Sequence, residues 1–218
     1  MSKPTVFIGD IHGCSQELLA LLDKINFVSA DNLVFLGDLV NKGPDPTGVI
    51  KIVRSLKCMC LRGNHEVNHL EWSEGQAEPL PETVATRNQM KTDDYTAYLT
   101  MVETMPYFHE TSDFIAVHGA VRPDLPMSLQ PGALMTGVEK FDLSWKDNIH
   151  LGRPLVVGHK RYNEADPAEP CVIPQRFYGV DTGCVFGGRL TALEMPSGRY
   201  WQVDAARNYT ESVLESLG

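Results

Sequence analysis

Apolar positions in the first sixty residues alternate between two spacings. Thr5 to Ile8, Leu33 to Leu36 and Cys58 to Leu61 are short β-favouring runs, each closed by a glycine at Gly9, Gly37 or Gly63. Between them, Leu18, Leu19, Leu22 and Ile25 come after Ser15 at helical spacing, so Ser15 is the expected cap. Val49, Ile50, Val53 and Leu56 form a second helical stripe behind Asp45-Pro46, a capping residue with proline at the first helical position. This βαβαβ order predicts a parallel sheet with right-handed crossovers.

The middle of the chain breaks the pattern. Residues 71–94 are polar and carry Pro79 and Pro81, and Thr92 is the expected cap of a helix over about Asp93 to Met105. Tyr95, Tyr98, Leu99 and Val102 on that helix are expected to pack rather than to bind. Residues 67–112 read as an inserted, mainly helical lobe in a single domain spanning 1–218, because their apolar content is too broken for a separate core. Phe114 to Val117 and Leu155 to Val157 are further strands. Phe177 to Val180, Leu190 to Met195 and Tyr200 to Val203 are expected to close the fold as an antiparallel set, turning at Gly187-Gly188 and Ser197-Gly198. No internal repeat or low-complexity tract is visible.

Composition narrows the class. A chain of 218 residues can bury roughly 70% of the surface it exposes when unfolded. Lys and Arg total 19 against 28 Asp and Glu, a net charge of -9. That balance argues against general nucleic-acid binding and against an anionic membrane surface. The five cysteines, Cys14, Cys58, Cys60, Cys171 and Cys184, contain no C-x-x-C spacing, so reduced thiols and a cytoplasmic location are expected. Cys58 and Cys60 read as opposite faces of one strand. Asp10 and His12 interrupt the start too early for a secretory leader, and no apolar run approaches membrane-spanning length.

The chemistry lies just past the end of each strand. Gly9-Asp10-Ile11-His12-Gly13 comes after the first, Gly37-Asp38-Leu39-Val40-Asn41-Lys42-Gly43-Pro44 after the second, and Gly63-Asn64-His65-Glu66 after the third. Later strands run into His118-Gly119 and Gly158-His159. Ligands in open α/β sheets bind at the carboxyl ends of strands. Asp10, His12, Asp38, Asn64, His118 and His159 together offer two carboxylates, three imidazoles and an amide oxygen. That is crowded for one ion, and it suits two divalent cations sharing a carboxylate about 3.5–4 Å apart. Mixed nitrogen and oxygen donors favour Mn, Fe, Zn or Co, with Mn first. Taken singly, each motif also reads as a turn or a helix cap.

Taken in order, these segments, with His118-Gly119-Ala120-Val121-Arg122-Pro123 and Val180-Asp181-Thr182-Gly183, resemble the calcineurin-like metallophosphoesterases and, more narrowly, their phosphoprotein phosphatase branch. The resemblance runs from about residue 5 to 195. It implies an α/β fold, a four-layer α-β-β-α sandwich with mixed sheets. It also implies that Asp10 and His12 hold one metal, that Asp38 bridges, and that Asn64, His118 and His159 hold the second. A hydroxide bridging the ions would attack phosphorus, and His65 would protonate the leaving oxygen.

One departure from the branch bears on substrate. Its protein serine/threonine phosphatases carry Asp-Arg where this chain has Asn41-Lys42, and in that family the Asp charges and orients the histidine equivalent to His65. A neutral residue and then Lys-Gly-Pro is similar to the ApaH-like phosphatases, relatives of diadenosine tetraphosphate hydrolases. A nucleotide, polyphosphate or other phosphorylated small molecule is therefore the expected substrate. A phosphoprotein, or a non-catalytic binding role on the same fold, is the alternative. Arg62, Arg122, Lys146, Lys160 and Arg161 are candidate phosphate cations, of which Arg122 is selected with Lys42, and Asn41 is assigned to the same site. Glu66 reads as first-turn helix charge, and His69, His109 and His150 as surface or ordinary core residues.

Overall fold

The computed structural model describes residues 4–26 and 32–210. Strands β1 (Thr5–Ile8), β2 (Leu33–Phe35) and β3 (Met59–Cys60) pair in parallel, as the βαβαβ order requires. They are joined by α1 (Ser15–Lys24) and α2 (Pro46–Leu56). Three helices come next: α3 (Asn64–Ser73), α4 (Pro81–Gln89) and α5 (Thr92–Thr104). A second sheet then forms from β4 (Phe108–Glu110), β5 (Ile115–Val117), β6 (Leu155–Val157), β7 (Cys171–Ile173) and β8 (Phe177–Gly179). The chain returns to the first sheet as the hairpin β9 (Arg189–Met195) and β10 (Arg199–Asp204). The strand orders are β10-β9-β1-β2-β3 and β4-β5-β6-β8-β7, and both sheets are mixed.

Side-chain alternation explains the layering. Phe7 on β1 turns inward with Val34, Leu36 and Leu193 to meet Phe114, Ala116, Val156 and Tyr178 of the other sheet. Their neighbours Ile8, Leu33 and Phe35 face outward against Leu18, Leu21, Val49, Ile50, Val53, Tyr98 and Val102 from α1, α2 and α5. On the far side, Ile115, Val117, Leu155, Val157 and Phe177 face Met127, Met135 and Ile149. That outer layer is thin. It is built from a four-residue helix, α6 (Gly132–Met135), and 3₁₀ turns at Met127–Leu129 and Leu143–Asn148. The result is two central sheets with helices outside.

Several expectations change. β8 does not join β9 and β10; it lies in the second sheet, parallel to β6. Both of its faces are covered, Tyr178 between the sheets and Phe177 in the outer core, which an edge position on the first sheet could not provide. The segment after β8 therefore crosses from one sheet to the other, carrying Asp181-Thr182-Gly183 and the Gly187-Gly188 turn. β4, β7 and α4 were not visible in the pattern. The strands are three residues long, and α4 begins at Pro81 in a polar stretch with few apolar markers. Leu19 is half exposed, and Leu21 takes its place in the buried stripe of α1. Ser15 and Thr92 are the first helical residues rather than the caps.

Asp45 is the cap that the sequence predicts, and it does more than cap. It accepts from Gly48 N–H at 2.8 Å and from the Ser15 hydroxyl at 2.6 Å, tying α2 to the start of α1. Asp45→Ala is expected to lower unfolding free energy by about 1–3 kcal/mol, read as a lower urea midpoint at constant slope.

Candidate metal centre

The parallel strands of both sheets point their carboxyl ends the same way. The loops after β1, β2 and β3 meet those after β5, β6 and β8 at one end of the sandwich. Asp38 stands at the meeting point. Its Oδ2 lies 3.4 Å from His118 Nε2, 3.6 Å from His12 Nε2 and 3.9 Å from His65 Nε2. Asn64 Oδ1 lies 2.9 Å from His159 Nδ1 and 3.3 Å from His118 Nε2. Asp10 accepts from the backbone N–H of His159 through both oxygens at 3.1 Å. The structure thus brings together Asp10, His12, Asp38, Asn64, His65, His118 and His159.

The ring tautomers suit cation binding. His12 Nδ1–H donates to the Val40 carbonyl and His118 Nδ1–H to the Leu36 carbonyl, both at 2.9 Å. Each leaves Nε2 facing Asp38, the arrangement by which outer hydrogen bonds orient metal-ligating histidines. Two donor groups each lie within 4.8 Å of one another, His12/Asp38/His65 and Asp38/His118/His159, and Asp38 belongs to both. The donors are nitrogen and oxygen only, a set that fits divalent transition metals. Asp10 stands outside both groups, held against the His159 backbone.

Electrostatics also call for positive charge here. Burial, then Asp181 and Asp38, pushes the Asp10 carboxyl well above its ordinary range. Burial also opposes charge on Asp38, but His118, His65 and His12 outweigh it and hold that carboxyl well below its ordinary range. Burial would neutralise His118, yet Asp38 and Asp10 raise it to about 10. Burial, and after it Lys42, pushes His12 well down. Three mutually close acids, Asp10, Asp38 and Asp181, thus share a pocket compensated by His118 and, at Asp181, first among charges by Lys42.

The backbone is strained where these loops converge. Eight described non-glycine residues have positive φ, and five of them are His12, Asp38, Asn41, Lys42 and His159. Glycine supplies the close approaches. A Cβ on Gly63 would fall on Asp38 Oδ1, and Gly37, at φ +110°, sits against the Gly63 backbone.

Glu66 does more than charge a helix end. It is fully buried, and its carboxylate accepts from Asp38 N–H at 2.7 Å, Leu39 N–H at 2.9 Å and Gly63 N–H at 3.0 Å. It therefore staples the second loop to the third. Burial, then Asp38, raises its carboxyl to about 7. His69 is a buried core residue as read from the sequence, and its Nε2 also donates to Asn41 Oδ1 at 2.8 Å. Its spacing of four from His65 on one helix face was the available signal.

The candidate cations separate. Lys42 Nζ lies 3.0 Å from His12 Nε2. Arg161 stacks on the Phe186 ring, which Lys42 also approaches. Arg122 is half exposed and pairs with Glu139 at 3.5 Å. Arg62 instead donates to the Val102 and Glu103 carbonyls at the end of α5. Lys146 pairs with Asp147, and Lys160 lies over the Phe141 ring.

Residues 3–200 match the family model described as calcineurin-like phosphoesterase. The chain is 25% identical to a symmetrical bis(5'-nucleosyl)-tetraphosphatase of Pseudomonas putida, over 94% of each sequence. It is 28% identical to the asymmetrical bis(5'-nucleosyl)-tetraphosphatase PrpE of Anoxybacillus flavithermus, over 87% of this chain and 89% of the relative. Among solved structures it resembles one described as "a putative diadenosine tetraphosphatase", with TM-score 0.73 and 25% identity over 93% of each chain.

Glu66→Gln turns an NH₂ toward backbone donors that now meet a carboxylate. It is expected to lower unfolding free energy by about 2–4 kcal/mol, measured by urea denaturation.

Proposed function

The chain belongs to the calcineurin-like phosphoesterase family and is a hydrolase, and we propose that it cleaves phosphoanhydrides at a two-metal site. Dinucleoside polyphosphates or polyphosphate are the substrates in this reading. In this reading Asp10 and His12 would hold one divalent ion, Asn64, His118 and His159 the second, and Asp38 would be shared between them. Manganese is the first choice for these donors, with iron, zinc or cobalt as substitutes. When bound, the pair supplies an activated nucleophile for in-line attack and neutralises phosphate charge.

The protein's own groups do the rest. His65 keeps its Nε2 on the Asp38 side of the ring, 3.9 Å from Oδ2, where it can donate to a leaving oxygen. Lys42, partly buried with its Nζ 3.0 Å from His12 Nε2, supplies positive charge beside the site. Arg122 is assigned to the distal phosphates, for which it must leave Glu139. Residues 1–218 form one domain in this reading, with 67–112 as an inserted helical lobe. All five thiols are free, as a reducing compartment keeps them, so we place the protein in the cytoplasm.

The observation that carries the substrate class is the bond between Asn41 Nδ2 and His65 Nδ1, at 2.8 Å. A neutral amide adds no charge to favour the imidazolium. A histidine that is mostly neutral suits the low-basicity leaving group of an anhydride, which needs little protonation, better than a serine alkoxide. The tetraphosphatase relatives favour the same reading. The same bond weighs against a serine/threonine protein phosphatase. The gathering of all six proposed ligands weighs against a non-catalytic binding protein.

Turnover of diadenosine tetraphosphate and tripolyphosphate is expected to exceed that of a phosphoserine peptide under matched conditions. Strong peptide turnover without anhydride cleavage would sink the proposal. Asn41→Asp combined with Lys42→Arg is expected to shift the anhydride-to-peptide ratio toward peptide by about tenfold or more. Metal titration is expected to saturate at two ions per chain. Asp38→Asn is expected to cost at least about 10²-fold in kcat. One ion per chain, or an active Asp38→Asn enzyme, refutes the two-metal site.

A further inference from the structure

We propose that His69 and Thr83 are positioning residues that clamp the Asn41 amide from both ends and thereby fix which ring nitrogen of His65 carries its proton. The proposal deepens the phosphoanhydride reading and rests on His65 as the donor to the leaving oxygen. The clamp starts from a backbone amide, whose polarity is fixed. Leu80 N–H donates to Asn68 at 3.2 Å, so the Asn68 atom facing it is the carbonyl oxygen. The Thr83 hydroxyl, 2.7 Å from that same oxygen, must donate to it. Its own oxygen is then left to accept, and the Asn41 atom 3.1 Å away is the amide nitrogen. The second hydrogen of that nitrogen points at His65 Nδ1, which must accept. The proton of the neutral His65 ring therefore sits on Nε2, facing Asp38.

The other end of the amide closes the clamp. Asn41 Oδ1 accepts from His69 Nε2, and His69 Nδ1 accepts from the Tyr95 hydroxyl at 3.1 Å. Asn41, His65, His69 and Thr83 are all buried, so an amide turned the wrong way could not recover its bonds from water. Asn41 comes from the loop between β2 and α2, and its partners come from α3, α4, α5 and the loop between α3 and α4. His69, Thr83 and Tyr95 thus reach the Nδ1 side of His65 through one side-chain amide, that of Asn41.

The tautomer can be read directly. In the ¹⁵N-labelled full-length chain without metal, long-range proton–nitrogen correlation is expected to show His65 Nδ1 unprotonated and Nε2 protonated. His69→Leu and Thr83→Val are each expected to move both nitrogens toward the shifts of a mixed tautomer, and His69→Gln, which keeps a donor for Asn41, to restore them. In the metal-loaded enzyme, His69→Leu is expected to lower the ratio of alkyl to p-nitrophenyl phosphate turnover about tenfold, because only the alkyl leaving group needs the donor. Rescue of that ratio by His69→Gln is also expected. A wild-type His65 protonated on Nδ1, tautomers unmoved by these changes, or equal losses on both esters would overturn the clamp. Should His69→Leu not fold, the near-isosteric Thr83→Val decides on the same readouts. Failure of the wild-type enzyme on every phosphate substrate would refute the hydrolytic role of His65, while the nitrogen shifts would still test the clamp.

Discussion

The structure depends on a carboxylate that is taken out of water without a Lys or Arg beside it. Asp38 is 2% exposed, and its nearest side-chain neighbours are three imidazoles, of which His118 is the one held in its charged form. Burying charge in this way is costly unless the surroundings answer it. Part of the answer is the histidine ring around it. The larger part is geometry: the loops that supply those rings must be held close, in strained backbone, before any cation arrives. Glu66 does this holding by collecting three backbone N–H groups from two loops.

Two sheets are needed because one cannot surround a point. The first sheet brings Asp10, His12, Asp38, Asn64 and His65 to one side. His118 and His159 come from the second sheet, whose parallel strands β5, β6 and β8 end at the same edge of the sandwich. The inter-sheet core of Phe7, Leu36, Leu61, Phe114, Val156 and Tyr178 sets how far apart the two half-sites stand. Packing in the interior therefore fixes the geometry of the chemistry, because close-packed cores transmit small displacements rather than absorb them.

The helices that link the two sheets in sequence have a second use. α3 begins at the proposed metal ligand Asn64, passes through His65, and one turn later presents His69 to the back of the site. α5 buries Tyr98 and Val102 in the first sheet's outer core, which fixes the ground on which Tyr95 meets His69. A helical segment with little apolar content of its own thus gains order from the sheet and returns it to the site.

Much of this was written in local pattern. The glycine-terminated strands, the Asp45-Pro46 helix start and the β9–β10 hairpin are all set by spacing within a few residues. So are the metal-competent side chains, because each sits directly after its strand, where short loops leave little freedom. Leu19 and Leu21 could not be told apart by stripe alone, nor could three-residue strands such as β4 and β7 be seen. The sheet to which β8 belongs was decided by which surfaces remained to be covered. Glu66 stapling two loops and His69 behind Asn41 depend on contacts 24 or more residues apart along the chain. Local sequence determined which groups stand at the strand ends, and only tertiary packing decided which of them face one another, because directional bonds between distant segments exist only after the sheets close.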